Sequence, residues 1–208
     1  MEKTMNLIET IKDAGIVGAG GAGFPTHVKL NTKAEFYIVN AAECEPLIET
    51  DKYLCRTFAD ELIQGIMLIS SHLEAKKSVI AIKAKYKPEI AALREAIEKN
   101  GADIEIFEMR TFYPAGDEQV IVHQVTGRSV PERGLPIEVG AVINNVGTII
   151  GMYNAITKGK TNTSKFLSVV GDVQETIMHQ VPIGTTLRES IQAANTKLSD
   201  YAITLGGH

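Results

Sequence analysis

Between Gly18 and Lys29 the chain reads GAGGAGFPTHVK: Gly18, Gly20, Gly21 and Gly23 fall within six residues, followed by Phe24, a proline, a hydroxyl and Lys29. Glycine alone lets a backbone lie flat against a planar ligand or take positive φ repeatedly without penalty. Successive free N–H groups in such a loop form a concavity for anions, and a helix starting just after it adds positive potential. Lys29 would then hold a phosphate as a point charge. The stretch reads as a cradle for a nucleotide or flavin phosphate, with an ordinary glycine-rich turn as the plain alternative, because the spacing alone is weakly specific. A Walker A loop is excluded, since Lys29 follows Val28 rather than a glycine. A dinucleotide fingerprint fits poorly, because residues 7–15 before the loop read as an amphipathic helix ended by Gly15 rather than as a strand.

Three further clusters carry polar chemistry. Asn40-Ala41-Ala42-Glu43-Cys44-Glu45-Pro46, with Asp51 close behind, sets carboxylates beside a strand end. Acids there repel a phosphate, but suit a ribose hydroxyl or the N–H edge of a ring; a solvated turn is the alternative. Tyr113-Pro114-Ala115-Gly116-Asp117-Glu118-Gln119 puts an aromatic, a glycine and two acids at a helix start, although Tyr113 could equally be core. Asn144-Asn145-Val146-Gly147-Thr148 places two amides and a hydroxyl at a strand-to-helix turn, where asparagines also serve as N-caps. The basic run Lys76, Lys77, Lys83, Lys85 and Lys87 reads as a solvated surface.

The elements that must position these clusters alternate. Strands are expected at 34–40, 78–82, 104–107 and 142–143, and helices at 58–73, after Pro88, from Asp117 or Glu118 to Thr126 with Val120, Ile121 and Val125 inward, and at 146–155. This pattern predicts an α/β fold with a largely parallel sheet flanked by helices. The segments 40–46, 113–119 and 144–148 each follow a strand, and ligands of such sheets sit at strand carboxyl ends. After the polar stretch 158–164 the character changes: strands at 166–170 and 177–181, a helix with a Thr186/Glu189 capping box and a strand at 201–205 give a β-β-α-β pattern. Two domains are expected, an α/β domain at 1–160 and a β-grasp module at 165–208, the second too small to hold a core of its own and therefore truncated.

Composition narrows the function classes. Hydrophobic residues make up 44% and charged residues 22% of the 208, as in soluble globular proteins. A net charge of −4 argues against a general nucleic-acid binder. No apolar run approaches the length of a bilayer span, so direct membrane insertion is not expected. The first residues lack the hydrophobic core of a signal peptide, which makes the cytoplasm the expected location. Cys44 and Cys55 are the only cysteines, too few for a structural zinc site or an iron–sulfur cluster.

In combination and order, GAGGAGFPTHVK, NAAECEP, YPAGDEQ and NNVGT resemble the flavin-binding domain shared by the flavoprotein subunit of respiratory complex I and the C subunit of the Rnf electron-transport complex. The cysteine in the second motif and the stretch GRSVPERGLP are closer to the Rnf branch, and KFLSVVGDV…VPIGTTLRESI is similar to the soluble-ligand-binding β-grasp module that follows the flavin domain there. The resemblance implies non-covalent FMN, NADH as hydride donor, and a place at the periphery of a membrane complex. It puts Gly18, Gly20, Gly21 and Gly23 around the flavin phosphate and ribityl chain, with Lys29 near the phosphate. It matches Asn40 and Glu43 to flavin contacts, Phe24 and Glu45 to the dinucleotide, and Tyr113, Gly116, Asp117 and Glu118 to the lining of the isoalloxazine. Asn144, Asn145 and Thr148 match the loop closing the other side of the cofactor. Rnf-type relatives carry 4Fe-4S motifs beyond the β-grasp module; with none in this sequence, the clusters are expected only in a missing C-terminal part or on a partner subunit. Ala19 and Ala42 stand where complex I homologues have Arg and Asp; these departures weaken the NADH assignment more than the FMN one and leave a non-catalytic docking module as the alternative.

Overall fold

The computed structural model describes residues 6–45, 47–195 and 200–206; Pro46 of the second motif and the last two residues lie outside them. Helix α1 (Leu7–Asp13) is capped by the Asn6 side chain and ends at Gly15, whose φ of +68° is open to glycine without cost. The glycine loop then leads into α2 (Thr26–Lys29), a single turn of 4 residues. The expected helix is present, but one turn aligns too few peptide dipoles to supply much of the potential expected at its start.

The central elements are β1 (Phe36–Ala41), α3 (Thr50–Thr57), α4 (Ala59–Leu73), β2 (Lys77–Lys83), α5 (Lys87–Asn100), β3 (Glu105–Met109), α6 (Glu118–Thr126), a 3-10 turn at Pro136–Val139, β4 (Ala141–Asn145) and α7 (Val146–Lys158). The sheet runs β3-β2-β1-β4 and every pairing is parallel, in register Phe36↔Lys77 and Phe36↔Ala141. Side-chain alternation sends Tyr37, Val39 and Ala41 of β1 to one face, with Ile80, Ile82 and Val142, against α4, α5 and α7. Ile38, Ala81 and Ile143 face the other way, under Ile121 and Val122 of α6. Asn40 shares the parity of Ile38, so it emerges on the α6 face at the strand's carboxyl end. Strand order changes direction between β1 and β4, the place where open parallel sheets leave a ligand crevice.

Packing decides these helices more than their ends do. Helix α4 has no capping side chain, yet it buries Leu62, Ile63, Ile66, Ile69 and Leu73. Each such burial contributes about 1.5–3 kcal/mol, against about 1 kcal/mol for a missing cap. Its Gly65 permits close approach to α7, because an added Cβ would lie 2.8 Å from Ile149 Cγ2.

Several expectations are corrected. Helix α3 has no counterpart in the sequence pattern: TDKYLCRT is polar and short, and it forms because Leu54 and Cys55 reach the core while the Glu43 carboxylate accepts the Asp51 N–H at 2.8 Å. In α6 the buried pair is Ile121 and Val122; Val120 and Val125 are only half-buried, as the sheet lies under a slightly rotated face. In the last segment β5 (Ser164–Val169) pairs antiparallel with β6 (Ile177–Pro182), and α8 (Leu187–Ala193) carries the Thr186/Glu189 capping box. Residues 201–205 form no strand and stay exposed, since no neighbouring edge receives them. The hairpin rests on α3 through an aromatic cluster: Phe166 lies 6.1 Å from Tyr53 and 5.5 Å from Phe58, centroid to centroid.

Candidate functional site

The glycine loop is held by its own backbone and by α7. Gly18 N donates to the Phe24 carbonyl at 2.9 Å, Val17 bridges Pro25, and Ala19 N donates to the Thr148 hydroxyl at 2.9 Å. A Cβ on Gly20 would stand 3.5 Å from Asn145 Cβ, so the loop approaches the β4–α7 turn closely. Gly21 and Gly23 take φ of +113° and +63°, and turn the loop back rather than lining the space beneath it.

Beneath the loop opens a cavity of about 680 Å³ at the carboxyl ends of β1 and β4. Gly18, Gly20 and Phe24 form its roof, Asn40, Asn144, Asn145 and Thr148 its floor, and Lys29 with Gly116, Asp117 and Glu118 one wall. Four motifs far apart in the chain thus converge on one space, through topology alone. Lys29 does not stand free for a phosphate: its Nζ donates to Glu118 Oε1 at 2.7 Å and to the Ile143 carbonyl at 2.8 Å. Asn40 is pinned, donating to the Gly116 carbonyl at 2.8 Å while its Oδ1 accepts from Ala42 N. The Asp117 carboxylate caps α6, accepting from Gln119 N and Val120 N. Asn145 Oδ1 caps α7 through Gly147 N at 2.8 Å.

Two polar atoms of the cavity have no partner. Thr26 Oγ1 and Asn144 Oδ1 are buried without a hydrogen bond, in residues only 1% and 6% exposed. A buried polar atom left open costs about 1–3 kcal/mol, which a ligand group or a bound water would relieve. A polyhydroxylated phosphate ester carrying a ring with N–H edges fits this donor and acceptor set. Ala42 is fully buried against the α6 side of the sheet, where a charged side chain would have no room.

Glu43, Glu45 and Tyr113 do not line this cavity but a neighbouring cleft on the far side of the 42–45 loop. Tyr113 OH reaches Glu45 Oε1 at 3.5 Å, and Gly116 N donates to Cys44 Sγ at 3.4 Å, which locks the second and third motifs together. Between the two spaces runs a chain of hydrogen bonds. Asn145 Nδ2 donates to Asp51 Oδ2 at 2.7 Å, and Asp51 N donates to Glu43 Oε2 at 2.8 Å. Burial, and then the Glu43 charge, push the Asp51 carboxyl up to about 7. Burial also raises Glu43, against the pull of the Asp51 N–H and of Lys52 and Lys83.

Sequence reasoning missed Thr26 and the linking role of Asp51. Thr26 stood inside the first motif, where its hydroxyl next to Pro25 was a usable signal; Asp51 had none, because its helix was not foreseen. Among the described residues no group of His, Cys, Asp or Glu could hold a metal ion, and no helix is long and apolar enough to cross a membrane.

The chain is 41% identical over 200 residues to the cobalamin reductase PduS of Citrobacter freundii, an alignment covering 96% of this chain and 44% of that protein. It is 35% identical over 190 residues to the C subunit of the proton-translocating ferredoxin:NAD(+) oxidoreductase complex of Clostridium ljungdahlii, covering 89% and 41%. Over 169 residues it is 37% identical to the C subunit of the ion-translocating oxidoreductase complex of Vibrio cholerae, covering 80% and 22%. The chain therefore spans less than half the length of these curated relatives. Its fold is that of a chain in the NAD+-reducing [NiFe]-hydrogenase in the H2-reduced state, with a TM-score of 0.87 at 24% identity over 97% of this chain and 41% of the other. The model of the Nuo51 FMN-binding domain matches residues 11–154, a span holding all four motifs and the whole parallel sheet, and the chain belongs to that family.

Proposed function

We propose that this chain is the FMN-binding, NADH-oxidising electron-transfer module of an Rnf C-subunit-like protein, and that it passes electrons to iron–sulfur clusters held elsewhere in the protein or by a partner subunit. The observation that carries this reading is the convergence of the glycine loop, Asn40, the 116–118 segment and Asn144, Asn145 and Thr148 on one cavity of about 680 Å³. Gly18 and Gly20 would hold the phosphate and ribityl chain, with Thr26 as a hydroxyl partner. Asn40, Asn144 and the 116–118 segment would hold the ring. When bound, FMN supplies acceptance of a hydride and release of its electrons one at a time.

The chain's own residues orient and shield. Phe24 is 43% exposed at the cavity mouth, with Val28 and Leu135 beside it, an apolar shelf suited to a flat nicotinamide. Lys29, held by Glu118 and the Ile143 carbonyl, gives the wall a fixed ion pair rather than a free positive charge. No side chain is required as a general acid or base. A place at the edge of a membrane complex is supported by the translocating-complex names of the relatives.

The test is an FMN titration followed by anaerobic stopped-flow mixing with NADH. The reading requires quenching of flavin fluorescence on binding and loss of flavin absorbance near 450 nm on the order of seconds or faster, as typical turnover demands. Failure to bind FMN overturns it. Bound flavin that stays oxidised points to the docking module instead.

A further inference from the structure

Asp51, on α3, stands behind the cavity under the glycine loop without lining it, and the proposed electron transfer gives it no task. Asn145 joins the two. Its Oδ1 accepts from Gly147 N at 2.8 Å, which leaves Nδ2 to donate to Asp51 Oδ2 at 2.7 Å. Asn145 also lines the cavity, and a Cβ added to Gly20 of the roof would lie 3.5 Å from Asn145 Cβ. A phosphate held by the glycine backbone would therefore lie one side chain away from a carboxylate.

That carboxylate has no counterion. Among the described residues no cation comes within salt-bridge distance of it, and the Glu43 carboxylate, a like charge, accepts the Asp51 N–H at 2.8 Å. On α3 itself Lys52 pairs with Glu49, and Arg56 with Glu89 of α5. Burial, and then the Asp51 charge, push the Cys55 thiol up, so it stays neutral. From α7 comes Asn154, which does not titrate. Behind Asp51 lies a smaller pocket of about 180 Å³ between α3, α7 and β5, where Lys160 and Lys165 also stand. Asp51 keeps some exposure and lines this pocket, so it can exchange a proton with solvent from the rear, without passing through the main cavity.

On the reading of the main cavity as the FMN site, on which this rests, we propose that Asp51 is the proton-accepting partner of that site. An anion entering under the glycine loop destabilises the Asp51 carboxylate across Asn145, and the carboxylate takes up one proton from solvent through the rear pocket. Asp51 acts through Asn145 and touches neither flavin nor nicotinamide. Burial, and then Glu43, already hold its carboxyl at about 7. A nearby like charge raises a carboxyl further, by about one pK unit. The bound state then holds more proton than the free one, so affinity is greatest below the free value and declines as pH rises through the bound value.

The test is isothermal titration of the full chain with FMN at pH 7 in buffers of different ionisation enthalpy, which counts the protons taken up per FMN bound. The parent should take up about 0.3–0.5 of a proton more than Asp51→Asn, as a half-protonated group raised by about one pK unit requires. Titration of the FMN phosphate is common to both proteins and cancels in the difference. Between pH 6 and pH 8 the FMN affinity of the parent should fall about fivefold more than that of Asp51→Asn. Asp60→Asn, an equal loss of charge at the Lys99 ion pair, should keep the parent's uptake. A measurement on the parent alone guards against a variant that fails to fold: carbon-13 NMR of the aspartate carboxyls should show one that titrates near pH 7 and moves up with FMN in excess.

Equal proton counts in the parent and Asp51→Asn overturn the proposal. So does a loss of FMN affinity in Asp51→Asn that is the same at every pH, which would make Asp51 a structural prop. An aspartate spectrum without that titration, or unmoved by FMN, overturns it as well. FMN that binds with equal proton counts leaves the FMN reading standing, whereas failure of FMN to bind at all removes both. None of these outcomes depends on whether NADH reduces the protein.

Discussion

The side-chain amide of Asn145 donates to the Asp51 carboxylate at 2.7 Å, joining the turn that ends β4 to helix α3 across 94 residues. The same amide caps α7 through its oxygen, and the Asp51 N–H continues the chain of bonds to Glu43. The floor of the main cavity is thereby fixed by a titratable group that does not itself line it.

That group makes stability depend on pH. The Asp51 carboxyl stands at about 7 in the folded chain, raised from 3.8 by burial and by Glu43. Between those values the folded state holds a proton that the unfolded state has released, so this contribution is fully present below the lower value and is lost as pH rises through the upper one. The melting temperature should fall from pH 5 to pH 8 by this route, and Asp51→Asn, which retains an acceptor for Asn145, should flatten the slope. Thermal unfolding at unit pH intervals checks it; an unchanged slope in Asp51→Asn would show that Asp51 is not the group responsible.

Lys29 and Glu118 should have opposite effects on FMN affinity. Lys29→Met leaves the Glu118 carboxylate unmatched on the cavity wall and should weaken FMN by about tenfold, the scale of one charged hydrogen bond. Glu118→Gln frees the ammonium and should hold or tighten FMN. Fluorescence titration of the two variants measures both.

Gly116 is required by a close approach of two loops. An added Cβ would lie 2.8 Å from Cys44 Cβ, so Gly116→Ala should cost about 1–3 kcal/mol in urea unfolding by overpacking. In a Cys44→Gly background most of that penalty should vanish, which a double-mutant cycle detects.

Phe166 holds the β5–β6 hairpin against α3. Phe166→Ala should destabilise the chain by about 2 kcal/mol, less than a fully buried phenylalanine costs, because the ring is half-buried among Tyr53 and Phe58. Limited proteolysis should then cut within 164–182 sooner than in the parent chain.

Much of this was legible in residue patterns. The alternation of short β-branched runs with 3.6-period segments fixes an α/β sheet, because each pattern buries an apolar face only in its own secondary structure. The capping box at Thr186 and the glycine ends of α1 and α5 were local signals with local causes. The four polar motifs were legible as well, since residues after strands of a parallel sheet meet at one edge.

What only the tertiary structure decided is how those residues divide their tasks. The spacing of Lys29, Glu118 and Ile143 in sequence carries no hint that one ammonium bridges the other two. Glu43 and Glu45 sit in the same motif as Asn40, yet the turn after β1 carries them to the neighbouring cleft. Helix α3 is held by the Glu43 carboxylate just upstream of it and by the core that takes Leu54 and Cys55. Sequence determines which groups arrive at the sheet's edge through local periodicity and connection order. Partnerships among them depend on distances of a few ångströms between segments far apart in the chain, and only packing sets those distances.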